Sequence, residues 1–461
     1  MMSARGSGQS RVEACVAWVS QRIEGQVFRP GMRLPSLRAL AKAQGVSPFT
    51  AVEAYDRLVA MGLIEPRPGS GFYVRGAPRP SRPMAEPSRI DLDWLMRHML
   101  DSGRARGPGL GVLPPAWLDG AQLGAAVRGL GREGPDRWLA SGVAHGFAPL
   151  REVLQQRLAG LGVIAGPDQI VLTTGITHGL DLVLRRLVAP GDSVLVLDPS
   201  WFGALGLLTA HGARIVAVPC GVGGADLEAL ERVARETRPK LMILSATAQN
   251  PTSLTFGPGV AAAILEIATR HDFAIFEDDV YADLGEPGAI RLAALDQLDR
   301  VFYAGSFSKT LAANVRVGFV AARRDHAQAL AEAKLLCGFT TPELNERLVH
   351  KLLVEGRHAR HVAGLRDRLA ERRAAAFDLL DGLGFEIFGR PRSGMFLWVD
   401  MGCDTHELAV TARARGQLIA PGGLFSPDQA ASSWMRFNIS TPHDDALADL
   451  LTAAKAAHDR Q

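Results

Sequence analysis

The 461-residue chain has only four cysteines, Cys15, Cys220, Cys337 and Cys403, scattered and without a CxxC pair. This excludes a disulfide framework and a cysteine-held zinc site, and it fits a reduced cytoplasmic protein. No metal site is expected. Long apolar runs are missing too. None reaches the roughly 18 residues that span a bilayer, so no membrane partner is expected. The opening stretch MMSARGSGQSRVEA has no apolar core, and is not expected to be a targeting peptide. There is no internal repeat. Lysine is scarce, and the net charge is only +3. The length calls for two or more domains and a large core.

The charge is unevenly placed. Residues 1–80 hold 11 Lys and Arg against 5 Asp and Glu, and the remainder holds 40 against 43. A basic head on a slightly acidic body suggests that the head meets a polyanion. In that head Val12, Cys15, Val16, Val19 and Ile23 recur at helical spacing, and Gly25 with Pro30 and Gly31 ends the helix. Ser36 is a plausible N-cap for a short helix through Gln44. Gly45 makes a turn, and Ser47 caps a third helix to about Met61. The stretch GLIEPRPGSGFYV over 62–74 alternates and carries Gly69 and Gly71, which signals a hairpin. Three helices and a basic hairpin over residues 8–76 make a winged helix-turn-helix.

Residues 75–87, RGAPRPSRPMAEP, are proline-rich and poor in large apolar side chains. A linker is placed at 77–95. Over 96–461 short apolar runs alternate with helical stretches. Strands are expected at 169–172, 193–197, 214–218, 241–245, 273–277, 301–304 and 317–321. That alternation predicts a mainly parallel sheet covered on both faces, with ligands beyond the carboxyl ends of its strands.

The chemistry concentrates in YAGSFSKTLAANVRVGF, residues 303–319. Lys309 follows an apolar strand, and burial there would lower its pKa and make the amine nucleophilic near neutrality. Ser306, Ser308 and Arg316 suit a phosphate.

Two resemblances sharpen this reading. The head resembles the winged helix-turn-helix of GntR-type bacterial regulators, through Arg33, Leu34, Pro35, Ser36 and Arg38, then Gly45, Val46, Ser47 and Thr50, then Ala54, Tyr55 and Leu58, and the run over 69–74. Its third helix would lie in the major groove, with Ser47, Pro48 and Thr50 near its N-terminal end. Arg33, Arg38, Arg67 and the turn of Gly69, Ser70 and Gly71 would complete the DNA contact. Tyr55 and Leu58 belong to the core. Many relatives have an arginine where this chain has Pro48, which suits a first helical turn but removes a contact.

The larger part resembles fold-type I pyridoxal phosphate aminotransferases over about residues 110–450. Together the two parts are similar to the MocR subgroup of GntR-type regulators. The fold implied is an α/β aminotransferase-like domain with a mainly parallel sheet and a smaller C-terminal α/β subdomain. The resemblance makes Lys309 the lysine that forms an aldimine with pyridoxal 5′-phosphate. Gly175, Ile176 and Thr177 would cradle the phosphate with Ser306 and Arg316. Asp278, with Asp279 as the alternative, would pair with the ring nitrogen. Tyr281 and Asn250 would bond the ring oxygen, Trp201 would stack on the ring, and Arg436 would clamp a carboxylate. Ser141 stands where many relatives have a tyrosine that reaches the neighbouring subunit's phosphate. His178 is expected on a helix surface. Residues 394–398, GMFLW, resemble the enzyme version of that strand.

The resemblance implies a regulator of double-stranded DNA. An amine or amino acid would exchange with Lys309, alter domain closure and shift the heads. It also implies a homodimer, domain-swapped or not. The alternative is an active aminotransferase with the winged helix as an accessory.

Overall fold

The computed structural model describes residues 10–75, 95, 106–134 and 139–458. The chain divides into two compact units, Met1–Pro87 and Ser88–Gln461. The linker placed at 77–95 lies outside the described residues, Leu95 apart.

The first unit is three helices and a hairpin. Helix α1, Arg11–Glu24, begins with a capping box in which Ser10 and Glu13 satisfy each other's amides. Helix α2, Leu37–Gln44, is capped by Ser36, whose hydroxyl accepts the Ala39 amide at 3.2 Å. It stops at Gly45, which takes the left-handed conformation at φ 62°. Helix α3, Pro48–Ala60, starts on Ser47 with proline in its first turn. Strands β1, Ile64–Arg67, and β2, Gly71–Val74, pair antiparallel, with Ile64 opposite Val74. Val19, Leu40, Ala51, Tyr55, Leu58, Ile64 and Val74 form the core. The buried Tyr55 hydroxyl donates to the Pro35 carbonyl at 2.8 Å.

The second unit is built on an eight-stranded sheet. Its strands are β3, Ile170–Thr173; β4, Ser193–Asp198; β5, Arg214–Gly221; β6, Gly224–Ala225; β7, Leu241–Leu244; β8, Ala274–Asp278; β9, Val301–Ser306; and β10, Gly318–Ala321. The order is β3-β10-β9-β8-β7-β4-β5-β6. The strands from β5 to β9 across the middle run parallel, whereas β10 is antiparallel to both β9 and β3. Alternate residues enter different apolar clusters. Leu195, Leu197, Ile275 and Tyr303 join one, and Val194, Val196, Phe276 and Phe302 the other. Both faces are therefore buried, which is why these strands read as continuous apolar runs.

A second, antiparallel sheet has the order β11-β12-β14-β13. It comprises β11, Glu386–Ile387; β12, Phe396–Asp400; β13, Ala420–Pro421; and β14, Trp434–Asn438. The long helix Arg357–Gly382 adds Leu365, Leu369, Ala376 and Leu380 to its core.

The clearest buried ion pair lies under β8 and β9. Arg291 donates to Asp279 at 2.9 Å, the side chains being 4% and 2% exposed, and Tyr303 donates to the same carboxylate at 2.8 Å. Replacing Arg291 by leucine strands a buried charge. It is expected to lower the unfolding free energy in urea by about 3–5 kcal/mol. Arg67→Ala breaks only an exposed pair with Glu65, and should cost under about 1 kcal/mol.

Candidate functional site

The strand ends converge on one place. Asp278 closes β8, and Lys309 follows β9. β3 runs through Thr174 and Gly175 into the helix Ile176–Leu187. Trp201 and Asn250 follow β4 and β7, and β14 contributes Arg436. These residues are brought together by the carboxyl edge of the sheet, where strand backbone stops pairing and side chains gain room.

Lys309 Nζ donates to the Gly111 carbonyl at 2.6 Å and lies 5.8 Å from the Tyr281 ring centroid. Burial pulls its pKa down to about 8, with Arg436 acting in the same direction and Asp278 opposing. About a tenth of the amine is then free at pH 7, far more than for an ordinary lysine. Burial raises Asp278 to about 7, against a hydrogen bond from the Val280 amide. Asp279, its neighbour, is engaged by Arg291 and Tyr303. Tyr281 is buried and packs edge-on against Phe396, and burial raises its pKa.

Beside Lys309 lies a small polar cup. Gly175 has φ 91°, and a Cβ there would sit 2.8 Å from Arg316 Nη2. That guanidinium donates to the Thr174 carbonyl at 2.8 Å and to Ser308 at 3.4 Å. Ser306 and Ser308 hydroxyls are 3.1 Å apart. Ile176 is buried and Thr177 exposed at the start of the helix, whose first amides have no intrahelical partners. Residue type at 175 is fixed by both the backbone angle and the close approach of Arg316.

His178 departs from expectation. It is half-buried, and its Nδ1 lies 3.1 Å from the Thr174 amide and 3.0 Å from the Thr174 hydroxyl. A ring that accepts the Thr174 N–H braces the loop, a role that its expected place on a helix surface did not suggest. Burial lowers its pKa, which favours the neutral ring that bond requires.

Arg436 is 1% exposed. It donates to Asn250 Oδ1 at 3.0 Å and to the Gly109 carbonyl at 2.8 Å. Phe396, Phe425 and Phe202 surround the guanidinium at 4.4, 5.3 and 5.5 Å. Its Nε is buried without a hydrogen-bond partner among the described residues, and burial lowers its pKa to about 10. No carboxylate faces this cation among its described bonds.

Trp201 is half-buried, and its ring lies over Gly203, where a Cβ would come within 2.2 Å of it. Ser141 is exposed. Sequence reasoning missed Gly109 and Gly111, whose carbonyls meet Arg436 and Lys309. The glycine-rich run over 107–111 was the available signal. The phenylalanines around Arg436 carried no signal beyond ordinary core character.

The predicted DNA residues sit on the first unit and not with these. Arg33, Arg38, Ser47, Pro48 and Arg67 are exposed. Arg33 passes beside Gly71, within 3.4 Å of where a Cβ would be, and bridges to Tyr73. Arg67 stacks on Tyr73 at 4.3 Å and pairs with Glu65. Ser70 bonds Tyr73, and Gly69 and Gly71 turn the hairpin with φ 71° and 107°.

Fold and site define a two-part chain: a DNA-binding head and an aminotransferase-like body. Residues 125–453 match the aminotransferase class I and II family, and residues 12–74 match the gntR family of bacterial regulatory proteins. The chain belongs to the aminotransferase class I and II family with a gntR-family head, the MocR-type combination. It is 32% identical to YdcR, an uncharacterized HTH-type transcriptional regulator of Escherichia coli, over 91% of this chain and 92% of that one. It is 32% identical to the 2-aminoadipate transaminase of Thermus thermophilus, over 66% of this chain and 78% of that one. Among solved structures it is similar to α-aminoadipate aminotransferase LysN from Thermus thermophilus, complexed with N-(5′-phosphopyridoxyl)-L-leucine. The TM-score is 0.72 at 28% identity, covering 79% of this chain and 94% of that one. No helix of the described residues is long and apolar enough to cross a membrane.

The lowered pKa of Lys309 makes a test of its burial. An ordinary lysine titrates at 10.5 and this one at about 8. Between those values the unfolded chain holds a proton that the folded chain lacks, so stability rises with pH there. Lys309→Met removes the cost of the buried charge. The cofactor-free variant should gain most over the parent in urea below pH 8, and the gain should fade towards 10.5. A pH-independent difference would show that Lys309 is not desolvated.

Proposed function

We propose that the protein is a DNA-binding transcription regulator that holds pyridoxal 5′-phosphate at Lys309 and senses a carboxylated amino compound. The observation that carries this reading is the span of its relatives. HTH-type regulators such as YdcR, and TauR of Rhodobacter capsulatus at 29% identity, align along about nine-tenths of both chains, head included. The transaminase of Thermus thermophilus aligns over 66% of this chain.

The residues fit the cofactor. Gly175, Ile176 and Thr177, with Ser306 and Arg316, would hold its phosphate. Asp278, free of the pair that engages Asp279, would face the ring nitrogen. Tyr281 and Asn250 would bond the ring oxygen, and Trp201 would stack on the ring. When bound, the cofactor supplies an aldehyde that condenses reversibly with amines. Lys309 would hold the cofactor until an effector's amine replaced it, and Arg436 would hold the effector's carboxylate in place of the Gly109 and Asn250 oxygens. Because the Gly109 segment is bonded to Leu418 and to Asn438 of β14, this exchange would favour one arrangement over another. An effector acts only through such a difference in affinity between arrangements. Arg33, Arg38, Ser47, Pro48, Thr50, Arg67 and the hairpin turn of Gly69, Ser70 and Gly71 would meet DNA. In a homodimer two heads would address two half-sites, and the length of the linker at 77–95 allows them to be exchanged between protomers. A regulator that acts on chromosomal DNA would work in the cytoplasm.

A second reading, an active aminotransferase, is favoured by one observation: Asp278 and Arg436 are buried, and Lys309 is present half-buried. Residual transamination is compatible with regulation.

The first test is fluorescence anisotropy of the cofactor-loaded protein on its own upstream intergenic DNA, with a panel of amino acids. Saturable, sequence-selective binding that one amino acid shifts supports the regulator. Weak binding, equal on unrelated DNA and indifferent to every amino acid, with turnover of a 2-oxo acid, would establish the enzyme instead. Arg38→Ala should weaken binding at all sequences and reduce the salt slope by about 1. Lys309→Ala should lose the yellow absorbance of the lysine-bound cofactor while the circular dichroism stays that of the parent.

A further inference from the structure

The start of α3 does not offer the groups its sequence suggests. The Ser47 and Thr50 hydroxyls are bonded to each other at 2.9 Å, and the Ser47 hydroxyl also accepts the Thr50 amide at 3.1 Å. Pro48 has no N–H to donate. What this turn holds out is apolar. Phe49 is 77% exposed and Val52 38% exposed. They are three residues apart and share a helix face. The remaining large apolar residues of the same helix face the core, with Tyr55 and Leu58 fully buried.

Phe49 and Val52 together form an apolar patch beside basic side chains, which a partner can cover. The surroundings say what kind. Residues 1–80 carry 11 basic against 5 acidic side chains, and Arg33 and Arg38 are exposed. Of the acids on α3, Glu53 is paired with Arg57 at 2.9 Å, and Asp56 lies about two turns from Phe49. The partner is therefore polyanionic and yet presents an apolar feature. In the major groove the C5 methyl of thymine is that feature, and it is what a phenylalanine can read.

We propose that Phe49, assisted by Val52, is a specificity-determining residue that recognises thymine methyl groups in the operator half-site. This rests on the DNA-binding reading above. Where a polar residue would select a base by hydrogen bonds, Phe49 selects by covering a methyl, so the preference is for thymine and against cytosine at the same position.

The experiment uses the full-length protein loaded with pyridoxal phosphate. A preferred duplex is first selected from a random library. Each thymine in it is then replaced singly by deoxyuridine, which deletes only the methyl, and affinity is read by anisotropy. For the parent protein, one or two positions should each cost about fourfold, the value of one buried methyl. At those positions Phe49→Ala should bind the thymine and deoxyuridine duplexes equally. Phe49 is exposed, so thermal melting of the variant should match the parent. If the parent selects a duplex but no thymine is sensitive to methyl removal, or Phe49→Ala keeps the sensitivity, the proposal is overturned and Phe49 serves another surface, such as an acidic protein. If the parent selects no sequence at all, the DNA-binding reading falls and this proposal with it.

Discussion

A sheet buried on both faces can meet a ligand only at its ends. In this protein β4, β8 and β9 send alternate residues into two separate apolar clusters, so neither face is open. The strands also run parallel through the middle of the sheet, which puts their carboxyl ends on one edge. Thr174, Trp201, Asn250, Asp278 and Lys309 all lie just beyond that edge. The site follows from burial and direction, and the loops only finish it.

Charge in that site is held without the usual opposite charge. Arg436 is surrounded by three aromatic rings and answered by a backbone carbonyl and an amide side chain. Lys309 is answered by the Gly111 carbonyl. Neutral oxygens take only some of the donors, Arg436 Nε having none among the described residues, and burial lowers both pKa values. By contrast, Asp279 has its Oδ2 engaged by both Arg291 and Tyr303, which ties it to the scaffold.

The head works by different physics. Its stability comes from helix caps and a small core around Tyr55 and Leu58, and its surface is basic. Electrostatic attraction of this kind gives affinity with little sequence preference. At the start of α3 the Ser47 and Thr50 hydroxyls are engaged in capping, and the projecting Phe49 and Val52 are apolar.

Features set by neighbours in the chain were determined by sequence alone. The Ser36 and Ser47 caps, the Gly45 stop, the apolar strands and the order of the site motifs depend on bonds a few residues long or on local alternation. Tertiary structure decided what depends on distant partners. The antiparallel run of β10 is set by its place between β3 and β9. His178 faces inward because Thr174 bonds it. Spacing singled out Asp278, but only the approach of Arg291 and Tyr303 separates it physically from Asp279. The Gly109 and Gly111 carbonyls reach Arg436 and Lys309 across 327 and 198 residues of chain. Local patterns fix which bonds a residue can make. Only the fold fixes which are made, because desolvation and pairing are properties of a place and not of a residue.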